Sequence, residues 1–330
     1  MPSSSSSSET DVDALRGDPS CQRFEMYGLR IRSEIPLGEV ASPFSESPDL
    51  VIRLSEEAAF IDAAPEGELL ASLELGDGRG YVFVRGRKEY SLAFHGVCEF
   101  RFSQDLRIAT VRLAPGQSVD MAGWLLRASV PALLLGLAGE CTLHASAIES
   151  DGAALVFPGE SGMGKSTLAA RFCAAGHRLV TDDLLRLNIA EDSISCFPGG
   201  GEIRIRDGAS ELSGLFTSDR VGQAVDGRLT LRCDRISAPL PLAALAIPRP
   251  AREHSRIAVR RLAKAEALYC LSAWPRVLGW KIAEPRRAHF QNLGELVKKA
   301  PVFEVEMPWG PPFPDDFVPE ILRLVRDAGD

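Results

Sequence analysis

The sequence predicts an α/β chain, with a P-loop α/β core in its C-terminal part and a β-rich, α+β domain before it. Three observations predict this. Short alternating segments separated by turn residues fill residues 24–113. Apolar residues then recur at helical spacing over 117–138. From Thr142 the order becomes strand, turn, strand, glycine-rich loop, helix, strand. That order is the mark of a nucleotide-binding α/β core.

The elements follow in chain order. Residues 1–20 are polar and Ser-rich, with no basic n-region or apolar h-region, and read as a disordered tail. A β-rich domain with a linking helix is expected over 21–139. Its segments include Tyr27–Ser33, Asp49–Leu54, Leu69–Leu75, Tyr81–Arg85, Glu99–Phe102 and Leu106–Leu113. Short strands so punctuated indicate a mostly antiparallel sheet. Over 117–138, Val119, Trp124, Leu125, Val130, Leu133 and Leu134 keep helical spacing, and Pro131 kinks or restarts the helix. The catalytic core is expected over 140–330. Thr142–Glu149 reads as one strand, Asp151-Gly152 as a hairpin turn and Ala153–Phe157 as a buried strand. A helix over Ser166–Ala175 ends at Gly176, where a C′ glycine belongs. Further helices are expected near 263–273, 287–299 and 316–327.

Composition narrows the function classes. The 330 residues carry 37 Lys plus Arg against 45 Asp plus Glu, a net charge of −8, which argues against nucleic-acid and anionic-membrane partners. The hydrophobic fraction of 45 % and charged fraction of 25 % are those of a globular protein with a packed core. Seven scattered cysteines without a C-x-x-C pair suggest neither a disulfide framework nor a zinc site, so a cytoplasmic setting is expected. The longest apolar stretch, Val130–Gly139, is too short to cross ~30 Å of hydrocarbon.

Gly159-Glu160-Ser161-Gly162-Met163-Gly164-Lys165-Ser166 matches G-x-x-x-x-G-K-[ST] in full, followed by Thr167. The glycines let successive N–H groups face phosphate oxygens, and the following helix aims its positive end at the same anion. Lys165 would reach the β- and γ-phosphates, and Ser166 would offer its hydroxyl to Mg²⁺. Asp182 and Asp183 close the next strand, where a carboxylate can hold magnesium, its water or the incoming nucleophile. Adjacent strand residues face opposite ways, so both reach one site only if the chain is already turning. His144 lies upstream in the strand before the P-loop strand. His95, His177, His254 and His289 show no metal-ligand spacing. Trp274, Trp280 and Phe290 read as core aromatics, and Trp309 as a loop residue able to touch a peptide.

Leu143-His144-Ala-Ser-Ala-Ile, Asp151-Gly152, the P-loop and Gly176-His-Arg-Leu-Val-Thr-Asp182-Asp183 together resemble the core of the HPr serine kinase/phosphorylase family. The closest likeness is to HPr-kinase-like proteins of ribosomal-peptide (lasso peptide) biosynthesis clusters. The specific resemblance spans roughly residues 140–207. It implies ATP and Mg²⁺ as cofactors, Asp182 as the base, and catalytic roles for His144, Lys165 and Asp183. It also implies Ser166, Asp183 and Glu202 on the metal, and Arg204 or Arg206 on the phosphate. Glu202-Ile-Arg204 matches the family's Glu-x-Arg-Gly segment, but Ile205 stands where the glycine should be. The implied reaction is transfer of the γ-phosphoryl group to a serine of a peptide or small protein. The alternatives are HPr(Ser) kinase/phosphorylase proper, a small-molecule P-loop kinase and an ATP-dependent peptide-binding module. The ring-forming habit of the family implies a homo-oligomer.

Overall fold

A computed structural model describes residues 21–38, 44–57, 66–251, 256–308, 310 and 312–329. The expected tail over 1–20, His254 and Trp309 lie outside the described residues. The chain is α/β, with a β-rich N-terminal part. It divides into two compact units, Met1–Arg127 with Gly279–Ile282, and Ala128–Leu278 with Ala283–Asp330. The sequence division at 139/140 falls after the helix that opens the second unit.

The first unit is one eight-stranded sheet in the order β1-β2-β3-β8-β7-β6-β5-β4. Its strands are β1 (Gln22–Met26), β2 (Leu29–Ser33), β3 (Leu50–Leu54), β4 (Glu68–Glu74), β5 (Gly80–Arg85), β6 (Tyr90–Phe94), β7 (Cys98–Phe102) and β8 (Ile108–Leu113). Pairing is antiparallel except for β2–β3 and β3–β8. Phe83, Leu92, Phe100 and Phe102 are fully buried at its centre. The segment from Tyr27 is not all strand. Tyr27 (φ 57°) and Gly28 (φ 67°) form the tight turn between β1 and β2, as a two-residue hairpin with both central residues at positive φ requires. A tyrosine tolerates this because its ring is buried and its hydroxyl donates to the Arg127 carbonyl at 2.7 Å. Helix α1 (Val119–Arg127) closes this part of the chain. Gly279–Ile282 returns to the outer edge of the sheet. The Ser72 N–H donates to the Gly279 carbonyl at 3.0 Å and the Lys281 N–H to Leu70 at 2.8 Å. Only glycine fits at 279, because a Cβ there would lie 2.0 Å from the Ser72 carbonyl oxygen.

The second unit opens with α2 (Ser129–Leu137), whose Pro131 sits in the first turn, where it costs no hydrogen bond. Then come β9 (Cys141–Leu143), β10 (Ala145–Ser150), β11 (Ala153–Pro158), α3 (Lys165–Ala174), β12 (Arg178–Thr181), β13 (Leu185–Ile189) and β14 (Ile194–Cys196). A separate antiparallel sheet holds β15 (Glu202–Ile205), β16 (Val221–Gln223) and β17 (Leu229–Arg232). The chain ends with β18 (Leu240–Ala251), β19 (Ala258–Arg261), α4 (Lys264–Ser272), α5 (Ala283–Lys299), β20 (Val302–Pro308) and α6 (Phe317–Asp327). Nine strands form the main sheet, along β12-β10-β11-β18-β14-β13-β9, with β20 on β18 and β19 on β20.

Strand β11 explains why its sequence reads as unbroken apolar. Leu155 and Phe157 pack with Leu168 and Phe172 of α3 and Phe317 and Ile321 of α6. Ala154 and Val156 face the other way, towards Leu271 of α4 and Leu293 and Leu296 of α5. Both faces are covered, so neither can be polar. The Phe157 and Phe172 rings stand 5.3 Å apart, fixing α3 over the strand that feeds the loop.

Two sequence expectations are corrected here. Thr142–Glu149 is not one strand. It breaks at His144, because β9 pairs with β13 while β10 pairs with β11 and β12. The aromatic trio does not form one core cluster. Trp274 packs half-buried against the core beneath Arg249, whereas Phe290 is 57 % exposed and Trp280 joins the edge of the first sheet through Ala71. Helix α5 buries Pro285, Leu293, Leu296 and Val297, while Phe290, one turn before Leu293 at the edge of that stripe, stays exposed. Among the described residues no single helix is long and apolar enough to cross a membrane.

Helix α5 also carries His289, whose Nε2 is buried without a partner, and burial pulls its pKa below the ordinary 6.5. The folded chain therefore resists a proton that the unfolded chain accepts, and stability should fall as pH drops through and below that value. His289→Met should flatten this acid limb in thermal melts recorded across pH 5 to 8. An unchanged slope would remove His289 from the cause.

Candidate functional site

Strand β11 delivers the chain to Gly159, and α3 begins at Lys165. Gly162 (φ 97°) and Gly164 (φ 87°) hold the left-handed turns between them, a conformation that strains any L side chain. Gly164 is the N-cap of α3 and supplies no capping side chain, so the helix start presents free N–H groups to an anion. Lys165 is only 6 % exposed, and its Nζ donates to the Glu160 carbonyl at 2.9 Å. Burial lowers its pKa to about 8, against the pull of Asp182 and Asp183 and with the help of Arg206 and Arg276. Met163 braces the loop by accepting the Glu160 N–H on sulfur at 3.0 Å. Glu160 and Ser161 are exposed on the loop, and Thr167, the third residue of α3, is half-buried.

The two carboxylates reach one place because the chain turns between them. Asp183 has φ 73°, and the Leu184 N–H donates back to the Asp182 carbonyl at 2.9 Å. This is a γ-turn with positive φ, the rare and strained form. Thr181 steadies it through a 2.6 Å hydrogen bond from its hydroxyl to the Leu184 carbonyl. Asp182 Oδ1 accepts the hydroxyls of Ser146 at 2.5 Å and Ser166 at 2.8 Å, and Oδ2 accepts the Arg204 N–H at 3.4 Å. Burial raises its pKa and the charge of Asp183 adds to the rise, while the two serines oppose it. Asp183 behaves oppositely. Its side chain stays 44 % open to the cleft, yet deep enough that burial opposes ionisation. Arg276 and His144 outweigh that and hold it well below the usual carboxylate range.

His144 sits at the break between β9 and β10. Its Nε2 lies 3.3 Å from Asp183 Oδ1, and its carbonyl accepts the Gly159 N–H at 3.3 Å. One residue thus ties the acid pair to the start of the loop. Arg276, in the segment after α4, donates to Asp183 Oδ2 at 2.8 Å and is largely buried. Along β15, Ile203 and Ile205 face the core, so Glu202 and Arg204 share the other face, and Arg206 follows directly in extended conformation. Arg206 reaches the loop, donating to Ser161 Oγ at 2.7 Å. The Arg204 guanidinium is turned to Asp226 at 2.8 Å, and this residue meets the site through its backbone.

Ser166 with the two aspartates is a hard-oxygen set of the kind Mg²⁺ takes, with remaining positions left to phosphate and water. Ser166 pairs with Asp182 rather than with Asp183. Among the described residues no three His, Cys, Asp or Glu side chains are grouped as a metal site, so Glu202 does not join the pair in such a cluster. Beside the loop a depression of ≈ 360 Å³ opens between Gly162, Met163, Arg249 and Glu306, room for part of a ligand anchored at the loop.

Sequence reasoning missed Ser146 and Arg276. Ser146 had a signal, since it stands two residues after His144 in the same short segment. Arg276 had none, as it follows Asp183 by 93 residues and carries no motif. Arg276→Met should leave the fold intact and lower turnover by ~10²-fold, the usual cost of misplacing a charged group at a reacting centre. Steady-state kinetics that change only in KM would instead make Arg276 a binding residue.

No protein-family model matches the chain. Over 83 residues it is 32 % identical to an HPr kinase/phosphorylase of Clostridium botulinum, covering 25 % of this chain and 26 % of the relative. The corresponding protein of Clostridium beijerinckii is 35 % identical over the same length. The match spans about a quarter of these curated relatives. A solved structure of the Hpr(Ser) kinase/phosphatase from Coxiella burnetii aligns with 56 % of this chain and 94 % of its own, at 16 % identity and a TM-score of 0.30.

Proposed function

We propose that the chain is a P-loop phosphotransferase of HPr-kinase type, moving the γ-phosphoryl group of ATP to a serine hydroxyl on a peptide or small protein. The observation that carries this reading is the convergence of Lys165, Ser166, Asp182, Asp183 and His144 at the start of one helix. A ribosomal-peptide precursor is the acceptor we favour, on the resemblance described above.

In this reading the loop N–H groups and Lys165 hold the phosphates, and Arg206 closes over them from β15. A bound Mg²⁺ would neutralise phosphate charge, with Ser166 and Asp183 as its protein ligands. The acceptor serine oxygen bonds to the γ-phosphorus as the bond to the β,γ-bridging oxygen breaks, and ADP leaves. Asp182 takes the hydroxyl proton. Its raised pKa suits that role, because a carboxylate nearer neutrality is a better proton acceptor. Asp183, held ionised by Arg276, supplies fixed negative charge beside it. Little covalent work is left to the protein, and positioning dominates.

One observation favours a second assignment within the same reaction. The Ser166–Asp182 hydrogen bond pairs the hydroxyl and carboxylate that a cation would share, leaving the more open Asp183 to face the acceptor. The test of the function as a whole is mass spectrometry of candidate precursor peptides after incubation with ATP and magnesium. A gain of one phosphate on serine is expected. ATP consumption without peptide modification would point to a small-molecule acceptor, and binding without consumption to a docking module.

A further inference from the structure

The first unit holds a cavity of ≈ 310 Å³ beside β1 and β2, lined by Arg23, Arg32, Phe44, Ser45, Glu46 and Ser47 among others. Arg23 and Arg32 are directly opposed across the β1–β2 pair, an arrangement that like charges disfavour. Arg32 is only 4 % exposed, and its Nε is buried with no hydrogen-bond partner. Arg23 donates to the Phe44 carbonyl at 2.8 Å and lies 5.7 Å from the Phe44 ring centroid. Those contacts satisfy an N–H but bring no full negative charge. Glu46, a carboxylate on the wall, pairs with Arg30, which Asp49 also holds through two side-chain hydrogen bonds. Among the described residues, then, neither Arg23 nor Arg32 forms an ion pair, and the one carboxylate lining their cavity, Glu46, is engaged with Arg30. Burying an uncompensated cation is strongly unfavourable.

We propose that this cavity is an oxyanion site, filled by a dianion of the phosphate class. Two guanidiniums lining one cavity offer forks to more than one oxygen. A single carboxylate is satisfied by one guanidinium fork, whereas a tetrahedral phosphate has oxygens for both. Ser45 and Ser47 stand at the same cavity as further hydroxyl donors. The site belongs wholly to the first unit and is independent of the reaction proposed for the P-loop.

The test is calorimetric titration of inorganic phosphate into the full chain carrying Lys165→Ala, which weakens the P-loop as a competing phosphate site. One binding event should remain. Adding Arg32→Met should weaken it at least ~10-fold, the value of one charge-assisted hydrogen-bond pair. Because Arg32 is buried, Arg23→Met serves as the second variant. Arg23 is half-buried, and its loss should weaken phosphate similarly with an unchanged circular-dichroism spectrum. Absence of the remaining event, or its survival in both variants, overturns the proposal. Acetate binding as tightly as phosphate overturns the assignment to a dianion.

Discussion

Asp182→Asn should abolish phosphoryl transfer, by ~10²–10⁴-fold, while leaving ATP affinity nearly unchanged. The substitution keeps shape and removes only the ability to take a proton. The Ser146 and Ser166 hydroxyls can rotate to accept from the new amide, so the local packing should survive. The measurement is single-turnover transfer to a serine peptide, run beside nucleotide titration. An equal loss of nucleotide affinity would move Asp182 to the cation and make Asp183 the base. Asp183→Asn then becomes the deciding variant, since only one of the two carboxylates can show loss of rate without loss of binding.

Lys165→Ala should weaken both steps, ATP affinity by ~10–100-fold and transfer by ~10²–10³-fold. Its effect on the ligand-free fold should have the opposite sign. Burial depresses the Lys165 pKa to about 8 from 10.5, so the folded chain binds fewer protons than the unfolded chain between those values. Stability of the parent should rise across that window, and the cost of the buried ammonium is fully present below about pH 8. The variant should melt higher at pH 7 without ligand and lose the alkaline rise. A lower melting temperature at pH 7 would mean that the hydrogen bond to Glu160 outweighs desolvation. Weaker function with a firmer fold is the usual sign of a residue kept for its chemistry.

The legible part of the site was the part encoded locally. Gly159 to Ser166, the apolar strand before it and the helix after it are contiguous, and each obeys a rule readable within a dozen residues. The turn between Asp182 and Asp183 was legible as a condition: both carboxylates could serve only if the chain bent, and a strained γ-turn bends it. The break at His144 was hidden because each piece continues the same apolar pattern while pairing with different neighbours. Alternation likewise ran through Tyr27-Gly28, and a tyrosine at positive φ is not a turn signal. Phe290 misled because aromatic residues are usually buried and its spacing to Leu293 and Val297 is helical, whereas it stands at the edge of the buried stripe and stays exposed. Arg276 depends on tertiary contact alone.

The four residues Gly279–Ile282 bear on how this protein is made. They lie far along the chain, yet they line the outer strand of the sheet laid down first. During synthesis that strand must wait uncovered until most of the polypeptide has emerged, although N-terminal domains generally fold early. Cutting the gene after Arg127 would make the wait permanent. The released piece would carry an open β4 edge, a template for pairing with other chains. The two units cannot be cleanly parted at one peptide bond, and dissection of this protein should begin by grafting that short return segment onto the first piece.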